Sequence, residues 1–94
     1  MRVKVKYFAL LRKLAGKREE DVEIDEETRV EELLEKLSER YGERFRDYVY
    51  GVGEFRGLTL MFLLNGRNIE LMDGFKTRLR DGDTLSILPP VVGG

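Results

Sequence analysis

At 94 residues the chain makes one domain, and a domain of that size buries only roughly 60 to 65% of the surface its unfolded chain exposes, leaving little room for a closed catalytic cavity. Its 41% hydrophobic content suffices for one core, while 37% charged residues at a net charge of −1 argue for a soluble, mixed surface and against a nucleic-acid binder or a membrane protein. With no cysteine and no histidine, disulfides, zinc fingers, thiol nucleophiles and imidazole bases are excluded together.

From the N-terminus, Val3, Val5 and Tyr7 alternate with Lys4 and Lys6, which predicts a strand buried on one face. This start carries no apolar signal region, and no apolar run approaches the ~20 residues that span a bilayer, so a cytoplasmic protein is expected. The pattern then becomes helical through Leu10, Leu11 and Leu14, with Gly16 as a left-handed stop. After a charged turn, Val22 and Ile24 alternate with Asp21, Glu23 and Asp25 and return as a second strand beside the first.

The strongest local signal follows. Thr28 and Glu31 have the spacing of a capping box, and Val30, Leu33, Leu34, Leu37 and Tyr41 repeat at helical spacing up to Gly42. Phe45, Tyr48 and Val49 continue as a short helical piece, and Gly51, Gly53 and Gly57 then predict a flexible loop. Leu58 to Asn65 reads as a nearly continuous apolar strand suited to a central position, closed by an Asn65-Gly66 turn and followed by a short strand over 68–71. Asp81-Gly82-Asp83 turns into a last strand, Thr84 to Leu88, which Pro89 ends because it has no amide hydrogen for the ladder. The order describes an α+β domain: a mixed sheet of four to five strands with one main helix across one face. Apolar residues on the uncovered face would form a docking surface.

The chain finishes Pro89-Pro90-Val91-Val92-Gly93-Gly94, without charge or polar side chain. Together with Phe8-Ala9-x-x-Arg12-x-x-x-Gly16, Leu64-Asn65-Gly66 and Leu79-x-Asp81-Gly82-Asp83, this ending resembles the ubiquitin-like sulfur carriers of β-grasp fold, in particular the small subunits of molybdopterin synthase. Residues 42 to 57 have no clear counterpart in that likeness. The resemblance implies a single domain, 1–94, with a flexible tail over 89–94. It also implies that Gly94 is adenylated and converted to a thiocarboxylate that gives its sulfur to a pterin precursor.

The implied partners are the large catalytic subunit of molybdopterin synthase, an E1-like adenylating enzyme and a sulfur donor protein. ATP and magnesium belong to the activating enzyme, and this chain binds no cofactor or metal itself. A composition without glutamine and rich in Arg and Glu leans toward a thermophilic source, which leaves tungsten beside molybdenum as the metal finally inserted.

The chemistry of the tail agrees. A free α-carboxyl ionises near pH ~3.5, so at neutral pH Gly94 is an anion and a poor acceptor until activated. Gly93 and Gly94 can thread a narrow channel because they lack side chains. Pro89 and Pro90 hold the exit extended, and residues 89–94 can reach about 20 Å into a partner.

Alternation puts Phe8 on the uncovered face, Leu63 is expected to share that side and Leu88 lies at the root of the tail; all three are read as partner-binding, with ordinary core packing as the competing reading. Arg12 joins them through the family motif, or is simply a solvated helix residue. Asp81-Gly82-Asp83 reads as a turn and not a metal site, and Gly51-Val52-Gly53 as a loop and not a dinucleotide cradle. Seven cations in residues 1–18 face ten acids in residues 19–35, a contrast that usually pairs neighbouring surface charges. The same tail would serve a protein modifier joined to lysines, or a carrier of sulfur for tRNA or thiamin, although the length and the Pro-Pro-Val ending disfavour the thiamin carrier.

Overall fold

The computed structural model describes residues 1–90. β1 (Arg2–Tyr7) places Val3, Val5 and Tyr7 inward, each at most 1% exposed. β2 (Glu19–Glu23) pairs with it antiparallel, Val3 opposite Val22. Between them lies α1 (Leu10–Ala15), ended by Gly16 in the left-handed conformation as the sequence predicts.

β5 (Thr84–Leu88) runs parallel to β1 on its other side, Val5 opposite Leu85 and Tyr7 opposite Ile87. β3 (Met61–Leu64) pairs antiparallel with β5, and β4 (Arg67–Asn68) closes a five-stranded sheet of order β2-β1-β5-β3-β4. β3 is thus paired on both sides, but β5 holds the middle. The Asn65-Gly66 turn forms as expected, with φ of 52° and 84° suited to a tight hairpin.

α2 (Val30–Tyr41) lies over the inner face and buries Val30, Leu33, Leu34 and Leu37 completely, each contributing roughly 1.5 to 3 kcal/mol by leaving water. The predicted Thr28–Glu31 capping box does not form. Thr28 Oγ1 donates instead to Asp25 O at 2.6 Å, and Glu32 Oε1 accepts from Arg29 N at 2.9 Å, so the helix begins one residue later. The cause is tertiary: Leu79 N donates to Thr28 O and Val30 N to Thr77 O, both at 2.9 Å, which holds 28–29 extended.

Gly42, at φ 100°, stops α2 and launches α3 (Glu43–Tyr50), which buries Phe45, Tyr48 and Val49. Phe45 packs against Tyr7 and Tyr41, with ring centroids 6.0 and 5.3 Å apart, which ties the extra helix to β1 and α2. The segment after α3 is held by Val52 N to Asp47 O at 3.0 Å and by a 3-10 turn, Gly53–Phe55. β4 is shorter than the 68–71 strand expected, because Asn68 Oδ1 accepts from Glu70 N at 2.9 Å and turns Ile69–Leu71 into a 3-10 turn.

Candidate functional site

The root of the tail is the end of β5, a strand hydrogen-bonded on both sides. Because Leu85 and Ile87 point inward and are fully buried, Thr84, Ser86 and Leu88 fall on the outer face. Phe62 and Leu64 likewise send Met61 and Leu63 outward. The register sets Met61 opposite Leu88 and Leu63 opposite Ser86. Phe8 follows Tyr7, the partner of Ile87, and so stands level with Leu88 on the next strand.

Phe8, Met61, Leu63 and Leu88 are all half-buried, and the alternation brings three of these four to the face the sequence assigns them. Met61 was missed. The same alternation, two residues before Leu63, could have found it, but Leu58 to Leu64 is apolar almost throughout and hides its period.

Arg12 completes the strip. Its Nε donates to Tyr7 O at 3.0 Å, and its guanidinium carbon sits 5.1 Å from the centroid of the Phe8 ring. Stacked and tethered by one nitrogen, the group leaves its other two nitrogens without a hydrogen bond among the described residues. Ala9 holds an unusual conformation, φ 51° and ψ −129°, that lets α1 begin directly after Phe8.

Pro89 is exposed and Pro90 half-buried at the exit. Val91, Val92, Gly93 and Gly94 lie outside the described residues.

The remaining motifs are structural. Asp81 Oδ1 accepts from Arg2 N at 2.8 Å, and Asp83 Oδ2 accepts from Arg80 N at 2.7 Å, so both carboxylates of the predicted turn are engaged by backbone. Among the described residues no three acidic, cysteine or histidine side chains gather as a metal would require. Part of the charge contrast is cross-strand pairing: Arg2 meets Glu23 at 2.8 Å and Lys4 meets Glu19 at 3.2 Å. No helix among the described residues is long and apolar enough to cross a membrane.

With this geometry in place, the ThiS family matches residues 5–94. The chain belongs to the ThiS family. A Pyrococcus furiosus protein assigned as subunit 1 of molybdopterin converting factor is 38% identical, covering 97% of this chain and 99% of that one, with a TM-score of 0.75. Small archaeal modifier protein 1 of Methanosarcina acetivorans is 34% identical over 99% of this chain and 96% of its own, with a TM-score of 0.78.

A Helicobacter pylori chain, from a complex of subunits 1 and 2 of molybdopterin-converting factor, is 26% identical over the whole of both chains, with a TM-score of 0.62. The curated relatives are matched over short stretches only, 35% and 40% of their lengths. Membership in the ThiS family and these neighbours bear out the β-grasp fold and the sulfur-carrier or small-modifier class read from the sequence.

Proposed function

We propose that this ThiS-family protein carries sulfur on Gly94 for molybdopterin synthesis. The observation that carries the reading is that the family match runs through residue 94 and so takes in Gly93-Gly94; the likeness to the Pyrococcus furiosus subunit supports it.

In this scheme the Gly94 carboxylate oxygen attacks the α-phosphate of ATP on an E1-like enzyme that holds magnesium, and pyrophosphate leaves. Hydrosulfide released by a donor protein, sulfur already at the sulfide level, then attacks the acyl carbon and expels AMP, and loss of its proton leaves a thiocarboxylate. Its sulfur passes to a pterin precursor in a large catalytic subunit. That subunit docks on Phe8, Met61, Leu63 and Leu88, with Arg12 meeting an acidic side chain, while Pro89 to Gly93 reach its active site. The Helicobacter pylori complex of two subunits supports a partner of this kind.

Deleting Gly94, or extending the chain beyond it, is expected to abolish sulfur transfer to the pterin precursor while leaving the fold unchanged by circular dichroism. Undiminished transfer with a blocked terminus ends this reading.

A second reading, conjugation to lysines as a protein modifier, is favoured by the likeness to the Methanosarcina acetivorans modifier. Mass analysis of the protein from its native host separates the two: oxygen replaced by sulfur at Gly94 marks a carrier, and lysine adducts mark a modifier.

A further inference from the structure

The molecule holds a second apolar surface, opening toward the helix side of the sheet and adjoining the strip at the tail root at Met61, which lines both. Where β4 ends, the Ile69–Leu71 turn diverges from β3 and leaves a groove of about 410 Å³ that also reaches the end of α3. Leu60, Phe62 and Ile69 line it, each buried, and Tyr50, Leu58 and Phe75 stand exposed around it. Beside it Leu71 is 78% exposed and Met72 is exposed as well.

The backbone along this groove says what fits. Asn65 N donates to Thr84 O at 2.8 Å, so the odd-numbered residues of β3 direct their amides toward β5. Leu64, Phe62 and, by continuation, Leu60 direct theirs the other way, toward β4 and the space beyond its end. Neither the N–H nor the C=O of Leu60 makes a hydrogen bond to a described residue, although Leu60 is only 6% exposed. A backbone pair that faces the groove without a partner among the described residues is one that a third strand could satisfy.

Charge narrows the choice further. Glu70 is the single charged residue lining the groove, and it makes no ion pair among the described residues.

We propose that the groove receives an extended peptide segment of another protein, added as a strand beside Leu58 to Phe62 where β4 leaves off. Alternate apolar side chains of that segment enter the groove, its backbone pairs with Leu60, and a lysine or arginine at one end meets Glu70. Main-chain bonds supply affinity and the groove selects side chains, the usual logic of strand addition.

The test is a titration of the isotope-labelled full chain, followed by amide chemical shifts, with a blocked heptapeptide of alternating valine and threonine ending in one lysine. Saturable shifts are expected at Leu58 to Phe62 and at Ile69 and Glu70. A peptide with glutamate in place of lysine should bind about two- to fivefold more weakly, and Glu70→Lys, at an exposed position, should reverse that order. N-methylation of the central valine should remove binding. Absence of shifts at ~2 mM peptide, a concentration that detects millimolar affinity, overturns the proposal. So do shifts confined to the outer face, or binding indifferent to N-methylation.

Discussion

Asn65 Nδ2 donates to Asp83 Oδ1 at 2.8 Å, and Asn65 Oδ1 accepts from Thr84 N at 2.9 Å, so the hairpin turn after β3 is clamped to the loop that opens β5. Two motifs far apart in the chain therefore act as one joint. Asn65 also holds φ 52°, which asparagine tolerates better than most residues. Asn65→Ala is expected to lower stability by about 1 to 3 kcal/mol through both losses, measured by denaturant unfolding.

The glycines after α3 should differ sharply from one another. A Cβ on Gly51 would lie 2.0 Å from Leu58 O, a backbone atom, whereas one on Gly53 would meet the Asp47 carboxylate at 2.6 Å, and a side chain can swing away. Gly57 has open space. Gly51→Ala should cost more than about 3 kcal/mol, with Gly53→Ala intermediate and Gly57→Ala near the ~1 kcal/mol of left-handed strain alone. Thermal unfolding of the three variants checks the order.

Acid should loosen the joint between β1, β2 and α2. Glu20 Oε2 accepts from Tyr7 OH at 2.5 Å and from Tyr41 OH, while Oε1 accepts from Arg40 Nη1 at 2.9 Å. Burial pushes the Glu20 carboxyl up, but those hydroxyls with Lys17 and Arg40 outweigh it, and the group lies below its ordinary 4.5. A carboxyl depressed by folding adds stability that is complete above its unfolded pKa and lost as pH falls through the folded one. Stability should therefore decline below pH ~4.5. Glu20→Gln should flatten that decline and cost about 1 to 3 kcal/mol at neutral pH, seen in urea unfolding from pH 7 downward.

Docking through the outer face predicts a particular set of losses. Phe8→Asp and Met61→Asp should each weaken binding to the large subunit at least about tenfold, since a buried unpaired charge costs well over 1.4 kcal/mol. Arg12→Lys should be weaker in effect than Arg12→Ala but not silent, because lysine lacks the flat group that stacks on Phe8. Titration calorimetry decides, and unchanged affinity for Phe8→Asp removes that ring from the interface.

Strand alternation makes part of the outer face legible in the sequence: Tyr7 inward leaves Phe8 outward by counting alone, and Leu88 is marked by its place at the root of the tail. Met61 is harder to see than Leu63 because no polar residue marks the period within the run Leu60 to Leu64. The start of α2 was misplaced by one residue because the bonds from Leu79 to Thr28 and from Val30 to Thr77 join segments about fifty residues apart, and no local pattern announces them. Asn68 ended β4 through its own side chain, a geometric choice that composition does not reveal. The helical spacing of Phe45, Tyr48 and Val49 was readable, whereas their packing against Tyr7 and Tyr41 depends on the folded whole.

The parallel union of β1 and β5 has a mechanical side. β5 is the innermost strand of the sheet, with β1 and β3 bonded along its two flanks. A pull between Met1 and Pro90 would load the bonds of the parallel β1–β5 pair all at once, in shear, and not peel them open one by one. Another machine could therefore tug on this protein hard without unravelling it.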